Sequence, residues 1–287
     1  MTTDVSNLGG RQAGGALAVE LTGLEGLKLP RKSWFPRSTV IRVLSPLILL
    51  VAWELIVRIG KVGEIFLPPP LSVLRVFVRL TADGTLPYAI WMSFLRTGQG
   101  FLYGSLLGII VGLFVGWSQI IEDIVDPLVA AIYPIPKSAL FPLFMLWFGL
   151  GDPSKVVTIL VGVLFLVLIN TVTGVKTLNP ILIRAARDLG ASERQIFLKV
   201  VLPGALPNIF TGLRLGAGIA LILVFVTELE ATNSGLGYLL WESYQLMLVQ
   251  QMFACIITFG ILGILSTWFI QWLEKVLCPW STTVTRQ

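Results

Sequence analysis

The sequence predicts an all-α, polytopic membrane protein with about six transmembrane helices, and three observations support this prediction. Of its 287 residues, 55% are hydrophobic and only 13% are charged, whereas about a quarter of an average soluble domain is charged. The mean hydropathy is +0.85. The apolar residues occur in stretches close to the ~20 residues that a helix needs to cross the hydrocarbon core of a bilayer. We therefore expect the core of this protein to form in lipid.

Six apolar stretches account for most of the chain, and we predict that each forms one transmembrane helix. They lie at about 43–60, 97–117, 126–148, 155–175, 206–227 and 250–273. The third stretch is interrupted by four prolines, Pro127, Pro134, Pro136 and Pro142. Each proline removes a backbone donor and favours a kink, which lipid tolerates only where neighbouring helices or water bind the freed carbonyls. We therefore predict a kinked third helix that faces the interior of the bundle.

Both ends of the chain are polar, so we divide the sequence into two tails and one membrane domain. Residues 1–40 are rich in glycine and lack the short apolar core and small-residue cleavage site of a signal peptide. We predict a cytoplasmic N-terminal tail over 1–40, partly disordered, which either lies on the anionic membrane surface or is a solvated extension. The transmembrane domain is predicted over 41–276, and a cytoplasmic C-terminal tail over 277–287.

The distribution of lysine and arginine predicts the side of the membrane on which each loop lies. The loop 176–202 contains five basic residues, and the N-terminal tail up to Arg42 contains six. The loops predicted on the opposite side contain four, and residues 228–249 contain none. Because short cytoplasmic loops carry an excess of Lys and Arg, we predict that both termini and the loop 176–202 are cytoplasmic.

The composition also argues against several classes of function. The sequence has no histidine, and its two cysteines, Cys255 and Cys278, lie inside and just after an apolar stretch. We therefore predict no metal site and no Cys–His nucleophile pair. The net charge of +5 comes mainly from residues that flank apolar segments, which indicates contact with membrane lipid and no nucleic-acid partner. No paired carboxylates or nucleophile motif converge in the spans, so we do not expect an enzyme.

The second apolar stretch carries a glycine at every fourth position. These residues are Gly100, Gly104, Gly108, Gly112 and Gly116. Small residues at this spacing let two helix backbones approach closely in lipid. We predict a tightly packed helix, and its partner could belong to this chain or to a second copy.

Ionisable side chains inside the apolar stretches are candidates for a translocation pathway. Such groups cost on the order of 2.5–3.5 kcal/mol at the centre of a membrane helix, so they usually face protein or water. We name Arg96, Arg214 and Glu228 as pathway candidates. Each has an alternative interpretation, because Arg96 and Arg214 could extend to lipid headgroups and Glu228 could lie at an exposed helix end.

A polar segment at about 177–203 separates the fourth and fifth apolar stretches, and its first half carries the signals of a short helix. Asn179 is a suitable N-cap, and Pro180 follows it at the first helical position, where its missing N–H is not needed. Gly190 is a suitable C-cap because glycine adopts the left-handed conformation without strain. We predict a short helix between these residues.

The second half of the segment carries the signals of another helix. Ser192 and Gln195 have the spacing of a capping box, in which each side chain binds the backbone of the other. We predict that this second helix ends near residue 201, where Leu202 and Pro203 turn the chain back toward the membrane.

Both predicted helices of the segment separate apolar from charged residues. The charged face contains Arg184, Arg187, Asp188, Glu193, Arg194 and Lys199. The pattern allows two interpretations. The segment either lies on lipid headgroups or docks a cytoplasmic protein, and amphipathicity alone does not choose between them.

The same segment resembles the signature of the membrane-spanning permeases of prokaryotic ABC importers. That signature reads E-A-A, three residues, G, nine residues, I-x-L-P, and this chain has Arg184-Ala185-Ala186, then Gly190, then 200–203 as VVLP. Arg184 stands where the signature has glutamate. Further stretches resemble the nitrate, sulfonate, taurine and bicarbonate branch of these type I, binding-protein-dependent importers; they lie at 66–74, 93–101, 133–151, 212–216 and 228–240.

This resemblance implies partners and a role for the segment. In such permeases the short helices of this loop fit into a cleft of a separate ATPase, so the implied coupling residues are Arg184, Ala185, Ala186, Gly190, Ser192, Glu193, Arg194, Gln195, Ile196, Phe197, Lys199 and Pro203. The implied partners are two ABC ATPase subunits, a second permease copy or a similar permease, and an extracytoplasmic substrate-binding protein. The resemblance places the chain in the plasma (inner) membrane of a prokaryote.

The sequence itself has no phosphate loop of the form G-x-x-x-x-G-K-[ST], so we expect no cofactor in this chain, with ATP and Mg bound by the ATPase partners. The leading hypothesis is a permease subunit that forms the pathway for a small solute, an oxyanion such as nitrate, bicarbonate, taurine or an alkanesulfonate. The alternative is a self-sufficient secondary transporter or channel. That alternative predicts inverted repeats and a charged relay near the membrane midplane, and we find neither in the sequence.

Overall fold

A computed structural model of the chain describes residues 37–60, 63, 66–230 and 232–280, and all regular structure in these residues is helical. The helices are α1 (Arg37–Ile59), α2 (Pro70–Ala82), α3 (Thr85–Trp117), α4 (Gln119–Ile132), α5 (Phe141–Phe148), α6 (Asp152–Lys176), α7 (Pro180–Asp188), α8 (Glu193–Ile196), α9 (Leu202–Glu230), α10 (Leu236–Gln245) and α11 (Val249–Leu277). Most of the N-terminal tail predicted over 1–40, and most of the C-terminal tail predicted over 277–287, lie outside the described residues.

The chain divides into two compact units between Trp53 and Glu54. The described part of the first unit is the N-terminal portion of α1. The second unit contains the rest of the described chain, including every residue of the candidate sites below.

Four helices in the described residues are long and apolar enough to cross a membrane. They are α3, α6, the continuous helix Glu193–Glu230 and α11. A fifth span results if the broken pair Gln119–Ile132 and Lys137–Phe148 is counted as one. The first predicted span, at about 43–60, lies in α1. The prediction of six helices is therefore approximate, while the all-α membrane fold is confirmed.

The third predicted span is more sharply broken than the expected kink. Its two halves meet at 88°, around Pro134 and Pro136. The ammonium group of Lys137 donates to the carbonyl oxygens of Ile132 and Tyr133, at 2.9 Å each. These bonds satisfy acceptors that the interrupted helix leaves free, as an interrupted helix at membrane depth requires.

The glycine row of α3 packs against α6 of the same chain. A Cβ atom on Gly104 would lie 2.6 Å from the carbonyl oxygen of Leu160, and one on Gly108 would lie 2.8 Å from that of Leu164. The remaining glycines of the row, Gly100, Gly112 and Gly116, meet Ile159, Thr171 and Val175 in the same way. The two backbones are thus too close for side chains between them.

Helix α6 lies at the centre of the bundle, since α9 packs on it as well. Its residues Ile159, Val163 and Val167 are fully buried and contact a buried cluster on α9. Helix α11 packs on α9 in turn, where Ile270 joins Phe210 and Ala217. These contacts fix α9 relative to both α6 and α11.

The bundle has two distinct ends, with α3 and α6 running in the same direction and α9 running in the opposite one. One end carries the segment 177–203, and we call it the loop end. The opposite end carries α2, α10 and the turn 232–235, and it is closed by a core that includes Leu80, Leu86, Leu236 and Cys255.

Candidate functional site

The first helix of the segment 177–203 is capped at both ends as the sequence predicts. The Asn179 side chain accepts a hydrogen bond from the backbone N–H of Ile181 at 3.0 Å. Gly190 has φ +81° and ends the helix, and the N–H of Ala191 donates to the carbonyl of Ala186 at 3.0 Å. The predictions of an N-cap and a left-handed glycine C-cap are confirmed.

The second helix starts with the predicted capping box but does not end where the sequence suggests. Ser192 and Gln195 make the two reciprocal bonds of the box. The helix then continues through a π-helical turn, Phe197–Val201, into α9, so the predicted turn at Leu202 and Pro203 is wrong. Pro203 has no N–H and its ring crowds the carbonyl four residues earlier. A π-turn just before Pro203 widens the helix at this point, so the proline is accommodated without a break.

The segment is anchored to the loop end of the bundle by its buried residues. Ile196 and Val201 are fully buried in a core shared with Leu113 of α3, Val175 of α6 and Ala205 of α9. The segment is therefore continuous with a membrane helix and also packed against two others. A force applied to it would be transmitted to three spans.

The outer surface of the segment remains uncovered. Helix α7 has no buried residue, and the apolar side chains of Leu182 and Leu189 are 53% and 88% exposed. The predicted charged face is exposed as well, at Arg184, Arg187, Asp188, Glu193, Arg194 and Lys199. One ion pair crosses this surface and joins the two helices, with 2.7 Å between Arg187 Nη2 and Glu193 Oε1.

The implied coupling residues thus differ in position. Ile196 is buried and Ala186, Phe197 and Pro203 are half-buried, so these four hold the segment on the bundle. The others face outward and are available to a partner; they are Arg184, Ala185, Gly190, Ser192, Glu193, Arg194, Gln195 and Lys199.

A second candidate site is a buried charge network near the opposite end of the bundle. Arg96 of α3 and Glu228 of α9 form an ion pair, with 2.6 Å between Nη1 and Oε1. The Arg96 side chain is 3% exposed and that of Glu228 is fully buried. Both alternative interpretations of these residues are wrong, because Arg96 does not extend to headgroups and Glu228 does not lie at an exposed helix end.

Hydrogen bonds complete this network on both sides of the ion pair. Ser93 donates to both Glu228 oxygens, at 2.9 and 2.7 Å, and the backbone N–H of Gly237 donates to Glu228 Oε2 at 2.9 Å. The Arg96 Nε atom donates to Asp152, at the first position of α6, at 2.7 Å. Removing one partner of a buried, hydrogen-bonded ion pair typically costs on the order of 3–5 kcal/mol, since the remaining charge is left unpaired.

The third pathway candidate, Arg214, lies apart from this network. Its Nη2 atom is 2.5 Å from Oε2 of Glu274 on α11, while its buried Nε atom has no hydrogen-bond partner among the described residues. The structure therefore joins two of the three sequence candidates and places the third on a different pair of helices.

Sequence reasoning missed Ser93 and Asp152 as members of the network. Ser93 precedes Arg96 by one helical turn, so the spacing of three residues is a signal that both side chains share one helix face. No comparable signal identifies Asp152, because it lies 56 residues from Arg96 and only helix packing brings them together.

A cavity of about 230 Å³ lies next to the network, between α3, α9 and α11. Its lining is apolar apart from the hydroxyl-bearing Ser93, Thr97 and Ser266. None of its lining residues is charged, so the cavity offers no counter-ion to an oxyanion. In the described part of the chain, no cluster of three or more His, Cys, Asp or Glu residues could hold a metal ion.

The described residues form a multi-pass helical bundle with a capped, outward-facing helical segment at one end. Residues 104–277 match the family described as "Binding-protein-dependent transport system inner membrane component". The chain belongs to this family, and it is a non-catalytic, multi-pass permease subunit of an ABC importer in the inner membrane.

Three relatives show the range of named functions in this group. A protein of Bacillus subtilis named as a putative aliphatic sulfonates transport permease, SsuC, is 36% identical, over 83% of this chain and 86% of its own length. The taurine transport system permease protein TauC of Escherichia coli is 31% identical, over 89% and 96%. The nitrate import permease protein NrtB of Synechocystis is 28% identical, over 87% and 95%.

A solved structure supports the same fold. A chain of the MetNI methionine ABC transporter, in an inward-facing conformation, superposes with a TM-score of 0.55 at 19% identity. The superposition covers 67% of this chain and 96% of that chain. At this level of identity the likeness establishes the type I permease fold and nothing about the substrate.

Proposed function

We propose that this permease forms the translocation pathway for a small oxyanion and is driven by separate ATPase subunits that bind the segment 177–203. The observation that carries the proposal is the structure of that segment. Its charged and apolar outer surface is uncovered, while its inner surface is packed into the bundle and its second helix continues into a membrane span.

This arrangement suits a coupling element better than a lipid-bound helix. A helix that lies on headgroups places its apolar face in the membrane and its charges in water. Here the apolar residues Ile196 and Val201 are buried in protein, and Leu182 and Leu189 share an exposed surface with charged neighbours. Such a mixed surface is typical of protein interfaces.

The assembly that we infer contains two ATPase subunits, a second permease copy or similar permease, and an extracytoplasmic binding protein. The family description supports the binding protein, since it names binding-protein-dependent transport. Both termini and the loop end are cytoplasmic in this proposal. Five of the basic residues lie in 176–202, and short cytoplasmic loops carry an excess of Lys and Arg. The ATPase partners also require a cytoplasmic position, because they bind ATP there.

The inferred substrate class comes from the named relatives. Aliphatic sulfonates, taurine and nitrate share an anionic group with several oxygens. The uncharged lining of the 230 Å³ cavity supports a division of labour in which the binding protein selects the anion and the permease conducts it.

Co-purification tests the coupling role. The triple substitution Glu193→Lys, Arg194→Glu and Lys199→Glu reverses three exposed charges and should release the ATPase or uncouple its activity from uptake. A matched control, Asp83→Lys with Arg75→Glu and Arg79→Glu, changes the net charge equally at the opposite end of the bundle. Retention of both the ATPase and uptake in the first variant would refute the docking role.

Thermal protection tests the substrate class. The partner binding protein should be stabilised by its substrate and by no other solute, since a ligand stabilises only the state that binds it. Nitrate, bicarbonate, taurine and a short alkanesulfonate are the probes. Protection by an uncharged solute alone would refute the oxyanion assignment and leave the permease assignment intact.

A further inference from the structure

The Arg96–Glu228 network also holds a turn of the chain. Beyond α9, the turn 232–235 leads into α10, and Arg96 binds it directly. Its Nη1 atom donates to the carbonyl of Ser234 at 2.7 Å, and its Nη2 atom donates to the Ser234 hydroxyl at 2.9 Å and the Thr232 hydroxyl at 3.3 Å.

Arg96 therefore uses its complete set of donors in fixed positions. A guanidinium group has five N–H donors in a planar fork. One of these donors binds Asp152, one binds Glu228, and three bind the turn. A lysine at this position has three donors on a point charge and cannot reproduce this pattern.

Glu228 fixes the other side of the same turn. The N–H of Gly237 donates directly to the Glu228 carboxylate. The Ser93 hydroxyl, which donates to the same carboxylate, accepts a hydrogen bond from the N–H of Leu236 at 2.8 Å. A Cβ on Gly237 would lie 2.7 Å from the Glu228 Cβ, and Gly235 has φ +113°. The turn is therefore wrapped so tightly around the carboxylate that side chains at these two positions would displace it.

The Glu228 carboxylate is located at the far end of the helix that begins in the segment 177–203. The continuous helix Glu193–Glu230 has 38 residues, which corresponds to about 57 Å at 1.5 Å per residue. Glu193 lies on the surface proposed for the ATPase, and Glu228 lies two residues before the other end. A displacement of the segment would therefore reach the turn through one helix.

We propose that Arg96 and Glu228 are positioning residues that make the turn 232–235 move as one body with α9, so that a movement at the loop end alters the opposite end of the pathway. This inference rests on the proposed function. In this proposal the ion pair stays intact during transport, because breaking a buried, hydrogen-bonded pair leaves an uncompensated buried charge.

Only part of this network is accessible from outside the bundle. The Asp152 side chain is half exposed, and it forms one wall of a polar pocket with Lys155, Glu230, Thr232 and Asn233. The turn therefore lies between the buried ion pair and the surface where a solute enters in the proposed orientation. That position suits an element that closes or opens the end of the pathway opposite the loop end.

The test uses the permease reconstituted in vesicles with its ATPase and its binding protein. The substitution Glu228→Gln keeps the size of the side chain and removes its charge. We expect uptake per ATP hydrolysed to fall by about tenfold, within the range of measured couplings between two sites, while the associated ATPase and basal ATP hydrolysis persist. Arg96→Lys should also lower uptake per ATP, since it retains the charge but loses the fork of donors that holds the turn. Unchanged uptake per ATP in both variants would overturn the proposal.

A matched control is available in the pair Arg58–Glu54, an Arg–Glu pair on one helix in which the Arg58 side chain is 66% exposed. Glu54→Gln should leave uptake per ATP at the wild-type level. An equal loss in this control would overturn the proposal, because the loss would then follow any broken ion pair.

A milder variant decides the question if Glu228→Gln does not assemble. Thr232→Val combined with Ser234→Ala removes two hydroxyl acceptors from the turn and leaves the Arg96–Glu228 pair in place. Uptake per ATP should again fall while the ATPase remains bound. Uptake per ATP at the wild-type level would overturn the inference. If the wild-type permease itself binds no ATPase or shows no ATP-dependent uptake, the proposed function fails, and this outcome is distinct from a failure of the network alone.

Discussion

Phe197 and Trp117 meet edge to face, with their ring centroids 5.6 Å apart and their planes at 73°. Phe197 is the first residue of the π-turn in the segment 177–203, and Trp117 is the last residue of α3. This contact joins the segment directly to the span that carries the glycine row and Arg96. It is a second connection between the two candidate sites, parallel to the continuous helix.

The first prediction concerns this aromatic pair. Phe197→Leu keeps an apolar side chain but removes the ring contact, which is worth about 0.5–1.5 kcal/mol beyond the buried area. We expect a lower thermal unfolding temperature in detergent and a lower uptake per ATP. Tyr244→Leu is the control, since Tyr244 pairs with Trp241 within α10 and should affect stability without changing the coupling.

The second prediction concerns the close approach of α3 and α6. Gly104→Ala places a Cβ about 2.6 Å from the carbonyl oxygen of Leu160, so the two helices must separate and lose packing. We expect a destabilisation of about 1–3 kcal/mol, measured as a lower unfolding temperature. Gly98→Ala on the same helix meets nothing within 4 Å and should be neutral or slightly stabilising. Equal effects of both changes would contradict the tight packing.

A third prediction separates backbone strain from coupling. Gly190 and Gly84 both have φ +81°, and a Cβ added at either position would meet nothing within 4 Å. Alanine at either position should cost about 1–2 kcal/mol because the left-handed conformation is strained for it. We expect similar losses of thermal stability from Gly190→Ala and Gly84→Ala, but reduced ATPase co-purification from Gly190→Ala only. Similar ATPase binding in both variants would argue against a role of the C-cap in docking.

A fourth prediction concerns Arg184, which stands where the permease signature E-A-A has glutamate. Its side chain is exposed, so Arg184→Glu should change the free energy of unfolding by no more than about 0.5 kcal/mol. We expect weaker binding of the chain's own ATPase, since a reversed charge no longer matches the facing surface. Pull-down of the ATPase at low and high salt measures this effect. Wild-type binding at low salt would place Arg184 outside the interface.

Local signals in the sequence were sufficient for the caps of the segment 177–203 and for the all-α membrane fold. Asn179, Gly190 and the Ser192–Gln195 box each depend on residues within a few positions of one another, and the structure contains all of them. The predicted end of the second helix was wrong, because Pro203 is normally a helix terminator and its accommodation depends on the π-turn before it.

The glycine row also separates what the sequence predicts from what only the structure shows. Its four-residue spacing predicts a close helix contact, but the partner could be any helix in the membrane. Only the folded bundle shows that α6 of the same chain is in contact with it.

Hydropathy and interactions over one or two helical turns are enough to predict an all-α membrane protein, the positions of most spans and the caps of the segment 177–203. They single out Arg96, Arg214 and Glu228 as candidate charges but not the acidic partners Asp152 and Glu274. The pairing of Arg96 with Glu228, and of Arg214 with Glu274, emerges only in the folded bundle. The physical reason is that a buried charge in a membrane requires a counter-charge, and sequence positions 132 and 60 residues apart come together only when the helices pack.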